Sequence, residues 1–183
     1  MEFRRIRTGN ERTVGVISLL SWRRYRVDVR WLDWYGDGSL HVLDIGLACC
    51  ALEFDAAALS MAALPAELPT GAQVAVVISG TVTDRLAPAV AAMVDGCEQL
   101  AGQRPTVISF GACAASGGPY WDSYAVTKGV DQLVDVDVYI PGCPPPPESL
   151  RDVLDELAGR VPSSVIPGGS FPRSQYSPGG VRR

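Results

Sequence analysis

The chain has 183 residues, 47% of them hydrophobic and 20% charged, which is enough for one sizeable core and makes a single domain the default. Five cysteines are too few for a disulfide framework, and the formal charge of −4 conceals an uneven distribution. Residues 1–30 hold eight arginines against Glu2, Glu11 and Asp28, a net of +5, whereas residues 31–172 hold five basic and seventeen acidic side chains, a net of −12. A basic arm on an acidic body suits an acidic partner or an anionic membrane surface; no recognised nucleic-acid module accompanies the arginines, so nucleic acid is not expected as a partner.

The first apolar run, Val14 to Leu20, is far short of the roughly 20 residues that span a bilayer. Arg23 and Arg24 follow with no small-residue cleavage site, which argues against a secretory signal and for a cytoplasmic setting in which thiols stay reduced. A second apolar stretch, Leu40 to Leu47, leads into the adjacent Cys49 and Cys50. Val74 to Gly80 is a β-branched run of the kind found in parallel strands covered on both faces. After the turn Thr81–Asp84, residues Leu86 to Leu100 predict a helix, with Pro88 tolerated in its first turn and Cys97 acting as a small hydrophobe.

Thr106 to Phe110 predicts a second buried strand running into the Cys113 loop, and Val134 to Ile140 predicts a third running into the Cys143 loop. Tyr120, Trp121 and Tyr124 follow Cys113; aromatics at this density favour the core over a partner surface. The proline run Pro144 to Pro147, with Glu148, marks the start of a closing helix through Leu157. The only histidine, His41, is a poor ligand candidate and reads as a partly buried core residue. The tail Pro162–Arg183, rich in Pro, Gly, Ser and Arg, reads as a flexible extension.

The strand-to-loop order carries the chemistry. In an open parallel sheet the loops that follow the strands lie along one carboxyl edge, where ligands bind, so the Cys113 and Cys143 loops should share that edge and Cys49–Cys50 could reach it. Gly111, Gly117, Gly118 and Gly142 would let the backbone take positive φ and bring amide groups close to sulfur. Adjacent cysteines do not readily form a disulfide with each other, and no Cys-x2-4-Cys pair points to a zinc site. Four thiolates match a 4Fe-4S cube if Cys97 is left out. Neither Gly-x-Gly-x-x-Gly nor Gly-x-x-x-x-Gly-Lys-Ser/Thr occurs, so the doubly wound look is not evidence for a nucleotide.

The blocks Gly46-Leu47-Ala48-Cys49-Cys50-Ala51-Leu52-Glu53, Gly80-Thr81-Val82-Thr83 with Ala87-Pro88, Gly111-Ala112-Cys113-Ala114-Ala115-Ser116-Gly117-Gly118, and Val136-Asp137-Val138-Tyr139-Ile140-Pro141-Gly142-Cys143-Pro144-Pro145 closely resemble the B subunit of bacterial complex I. That family is NADH-quinone oxidoreductase, and its mitochondrial counterpart is the PSST subunit. The resemblance covers roughly residues 38–158. It implies an α/β, flavodoxin-like parallel sheet with helices on both faces and one 4Fe-4S cluster at the carboxyl edge, ligated by Cys49, Cys50, Cys113 and Cys143. It further implies an electron-transfer subunit, not catalytic alone, that passes electrons to a quinone at the interface with a hydrogenase-like large subunit and the membrane arm, peripheral on the cytoplasmic face of the membrane.

The same fold serves the small subunits of nickel–iron hydrogenases, including the membrane-bound energy-converting group, which is the alternative reading. Those typically carry Cys-x-x-Cys at the first site, so the tandem pair favours the complex I side. Consecutive cysteines on one cube predict a strained backbone, and Glu53 is the carboxylate nearest in sequence for a coupled proton. The chain departs from the family between residues 54 and 73, which carry no Lys or Arg where the family has an arginine-bearing stretch. The expected organisation is a basic docking segment over residues 1–37, an iron–sulfur domain over residues 38–160 and the tail over residues 161–183.

Overall fold

The computed structural model describes residues 28–160 except 62, 66 and 67, so the expectations for residues 1–27 of the basic segment and for the tail lie outside the described residues. The elements in order are β1 (Asp28–Asp33), β2 (His41–Gly46), α1 (Cys50–Ser60), β3 (Leu64–Pro65), β4 (Val74–Ser79), α2 (Ala87–Ala101), β5 (Thr106–Phe110), α3 (Ala112–Ser116), β6 (Val138–Ile140) and α4 (Pro147–Leu157). They form one six-stranded sheet in the order β3-β1-β2-β4-β5-β6. Strands β2, β4, β5 and β6 are parallel, as expected; β1 is antiparallel to both β2 and β3.

Alternation along the strands sorts side chains to two cores. Val42, Ala75, Val77, Ile108, Phe110 and Ile140 face one way and pack with Phe54 of α1 and with Leu150 and Leu154 of α4. Leu43, Ile45, Val74, Val76, Ile78 and Val107 face the other way, against Val90, Val94 and Cys97 of α2 and Ala114 of α3. Burial on both faces explains the near-continuous apolar run of β4, whose six residues are all buried. Helices on both faces bear out the α/β reading.

Two features differ from the sequence reading. Asp28–Asp33 is a sheet strand within the segment read as a docking arm, and its Arg30 stands directly opposite Asp44 of β2. The third strand is shorter than predicted, starting at Val138. The cause is local: Asp137 accepts the Val107 N–H and an Arg104 N–H, both at 2.9 Å, while residues 130–132 form a 3-10 turn.

Candidate iron–sulfur site

The parallel strands bring three cysteine-bearing segments to one edge. Leaving β2, Leu47 and Ala48 donate to the Ser79 carbonyl at the end of β4, at 3.0 and 3.4 Å, and the next two residues are Cys49, capping α1, and Cys50, its first residue. Leaving β5, Gly111 turns the chain into α3, which carries Cys113. Leaving β6, Pro141 and Gly142 precede Cys143. Two backbone hydrogen bonds stitch the last two segments together, from Gly111 N–H to Ile140 at 2.9 Å and from Ala112 N–H to Gly142 at 2.7 Å.

Steric contact joins the first segment to the second. A Cβ added at Gly111 would lie 2.5 Å from Cys50 Sγ, so the absence of a side chain there is what allows the Cys50 thiol to rest against the β5–α3 turn. Gly111 has φ +96°, ψ +163°, a region essentially confined to glycine. A Cβ at Gly118, φ +53°, would lie 2.8 Å from Cys113 Sγ. Gly117 and Gly142 also have positive φ, at 80° and 148°, as the sequence led us to expect.

Cys50 and Cys113 are buried, whereas Cys49 and Cys143 are exposed. Burial pushes the Cys50 thiol up to about 12, and the neighbouring sulfurs of Cys49, Cys113 and Cys143 add to the effect by disfavouring a further negative charge. The other three predicted ligands therefore all lie close enough to act on the Cys50 thiol. Among the described residues, no three His, Cys, Asp or Glu side chains form a single-ion site. A 4Fe-4S cube makes a different demand, because its four thiolates bind separate irons at separate corners. The donor set and the glycine-cleared space around Cys50 and Cys113 fit such a group.

The expected backbone strain at the tandem is absent. Cys49 has φ −57°, ψ −31°, ordinary helical values, because the pair straddles the start of α1. Glu53 is half-buried in the first turn of the same helix. Cys97 is buried on the α2 side, away from the edge, with its thiol pushed up to about 11 by burial and by Glu98. His41 is buried in β2, and its Nδ1 has no hydrogen-bond partner among the described residues. The aromatics after Cys113 are not core: Tyr120, Trp121 and Tyr124 are 55, 62 and 98% exposed, because residues 117–127 form a surface loop of short turns.

The sequence reading missed an ion-paired group beside the site. Asp44, fully buried in β2, accepts from Arg30 at 2.5 Å, and the same guanidinium nitrogen also donates to Asp55 of α1. The signal was present, since Asp44 is the one carboxylate in the apolar stretch from Leu40 to Leu47.

Comparison with known proteins settles the family. Residues 41–157 match the family model of the NADH ubiquinone oxidoreductase 20 Kd subunit. The chain belongs to that family. It is 48% identical over 158 residues to the second NADH-quinone oxidoreductase B subunit of Streptomyces griseus, covering 81% of this chain and 63% of that relative's length. It is 46% identical over 159 residues to the first NADH-quinone oxidoreductase B subunit of Salinispora tropica, covering 80% of each. A chain of the membrane-bound sulfane sulfur reductase, an archaeal respiratory membrane complex, is 31% identical, with a TM-score of 0.42 over 52% of this chain and 51% of its own. Among the described residues of this 20 Kd family member, no helix is long and apolar enough to cross a membrane.

Proposed function

We propose that this chain is the electron-transfer subunit of an NADH-quinone oxidoreductase-type complex, with Cys49, Cys50, Cys113 and Cys143 holding one 4Fe-4S cluster whose electrons leave for a quinone. The observation that carries this reading is the meeting of the Cys50 thiol with Gly111, on a turn hydrogen-bonded to the Cys143 loop. When bound, the cluster would supply one-electron redox chemistry at a potential set by net charge, hydrogen bonds to sulfur and exposure.

The chain's own residues shape how that chemistry is used. Cys50 and Cys113, at 1 and 5% exposure, close the site toward the protein interior, and the exposed Cys49 and Cys143 leave it open outward. Tyr120, Trp121 and Tyr124 present aromatic surface beyond the Cys113 segment, of the kind enriched in protein interfaces. That surface suits the hydrogenase-like large subunit and, beyond it, the membrane arm, with this chain peripheral on the cytoplasmic face. Glu53 is the carboxylate we assign to a proton held near the pair when negative charge is added there.

Low-temperature EPR of the anaerobically reconstituted, reduced chain tests the reading. A cubane signal is expected in the parent and in Cys97→Ala, and its loss in Cys113→Ala and in Cys143→Ala. A colourless, iron-free parent, or a signal that survives both of those substitutions, would overturn it.

A further inference from the structure

Arg30, Asp44 and Asp55 form a charge network against the helix that begins with the cysteine pair. Arg30 and Asp44 are cross-strand partners in the β1–β2 ladder, and the Asp44 side chain is 1% exposed. A buried carboxylate is costly unless it is paired and hydrogen-bonded, and Asp44 is paired with a guanidinium that is itself 36% exposed. Burial works against the Arg30 charge, and the hydrogen bonds to Asp55 and Asp44 outweigh it, so the guanidinium is held charged more firmly than usual. Residues 54–73 contain no basic side chain, so α1 draws this cation from β1.

The network lies beside the cysteine pair rather than at a remote surface. The point where a Cβ at Gly46 would sit is 3.1 Å from the Ala51 Cβ and 3.6 and 3.7 Å from the two Asp44 carboxylate oxygens. Asp44 is thus packed near the first turn of α1, one residue past Cys50. Arg30 reaches over the Phe54 ring at 5.8 Å to Asp55 on the same helix.

We propose that Asp44 and Arg30 act as an opposed pair of fixed charges that sets the reduction potential of the group held by Cys49 and Cys50, with Asp55 as a weaker, outer member. This rests on the cluster reading of the previous subsection. The physics is Coulombic: a negative charge nearby disfavours taking up an electron, a positive one favours it, and both act strongly where water is excluded. Asp44 therefore lowers the potential, Arg30 raises it, and Asp55, whose side chain is 41% exposed, has a screened effect.

The test is an EPR-monitored redox titration of the reconstituted full chain. Asp44→Asn is expected to shift the midpoint potential upward, Arg30→Gln downward, and Asp55→Asn upward by less than Asp44→Asn. Removing one partner of a buried ion pair is destabilising. Should Asp44→Asn or Arg30→Gln not fold, the half-buried Asp55→Asn and the charge-conserving Arg30→Lys decide between them, the first moving the potential upward and the second leaving it near the parent's. Opposite signs for loss of the anion and loss of the cation are what a purely structural network would not produce. Shifts of the same sign in Asp44→Asn and Arg30→Gln, or unmoved potentials in folded, cluster-loaded forms of the charge-removing variants Asp44→Asn, Arg30→Gln and Asp55→Asn, would overturn this inference and leave the cluster reading intact, whereas a parent chain without any cluster signal would overturn both.

Discussion

Where β1 turns toward β2, polar side chains fasten the chain: Asp33 accepts the N–H groups of Gly36 and Gly38 at 2.9 and 3.0 Å, and Tyr35 donates to Asp155 of α4. Arg160 stacks 3.7 Å from the centre of the Tyr35 ring and pairs with Asp37. At the opposite edge, where the cysteines gather, closure comes from backbone hydrogen bonds and from glycines that admit sulfur. The contrast suggests a division of labour within one sheet. One edge uses side-chain pairing to hold the ends of β1 and α4 together, while at the other, among the described residues, the thiols of Cys50 and Cys113 rest against glycines instead.

The same substitution made at both edges tests that division most severely. Gly102, at the end of α2, has φ +74° with nothing within 4 Å of an added Cβ, so Gly102→Ala should cost only the left-handed backbone penalty, about 1–2 kcal/mol. Gly111→Ala combines a glycine-only conformation, worth about 1–3 kcal/mol, with a Cβ placed 2.5 Å from Cys50 Sγ. It should lower the melting temperature and abolish loading of iron and sulfide on anaerobic reconstitution, whereas Gly102→Ala should load normally. Equal loading of the two variants would erase the distinction between the edges.

A smaller effect is expected from Tyr35→Phe, which deletes the hydrogen bond to Asp155 and should cost about 1 kcal/mol in denaturant unfolding with cluster loading unchanged. Its pH dependence sharpens the point. Burial first, then the Asp155 hydrogen bond, raises the Tyr35 phenol above its ordinary value near 10. A raised pKa means the folded state favours the protonated phenol, so the contribution is fully present below about pH 10 and is lost as pH climbs toward the folded value. The parent should lose stability in that alkaline window more steeply than Tyr35→Phe does, and parallel curves would place the alkaline sensitivity elsewhere.

The parallel strands and the cysteine loops were legible because each announces itself locally. Val74–Ser79 and Thr106–Phe110 are β-branched runs buried on two faces, Cys113 and Cys143 lie among glycines or prolines just after a strand, and Cys49 and Cys50 stand at a helix start. Strand β1 was not legible, because Asp28-Val29-Arg30-Trp31-Leu32-Asp33 carries three charges and sits at the end of an arginine-rich stretch. What makes it a strand is the pairing of Arg30 with Asp44, fourteen residues away, and of its backbone with β2. Tyr35 and Asp155 are 120 residues apart, beyond any local pattern. The tandem cysteines misled in one respect, since a helix start accommodates two consecutive ligand candidates in regular geometry and no strained turn is needed.

The antiparallel direction of β1 also has a practical bearing on labelling. Asp28 stands opposite Gly46, beside the cysteines, whereas Arg160 is anchored to Asp37 and Ser39 on the far side of the sheet. Asp28 therefore lies at the thiol end of the sheet and Arg160 at the opposite end. A fluorophore or spin label attached at position 160 would leave reconstitution chemistry undisturbed, and one attached at position 28 would report on it.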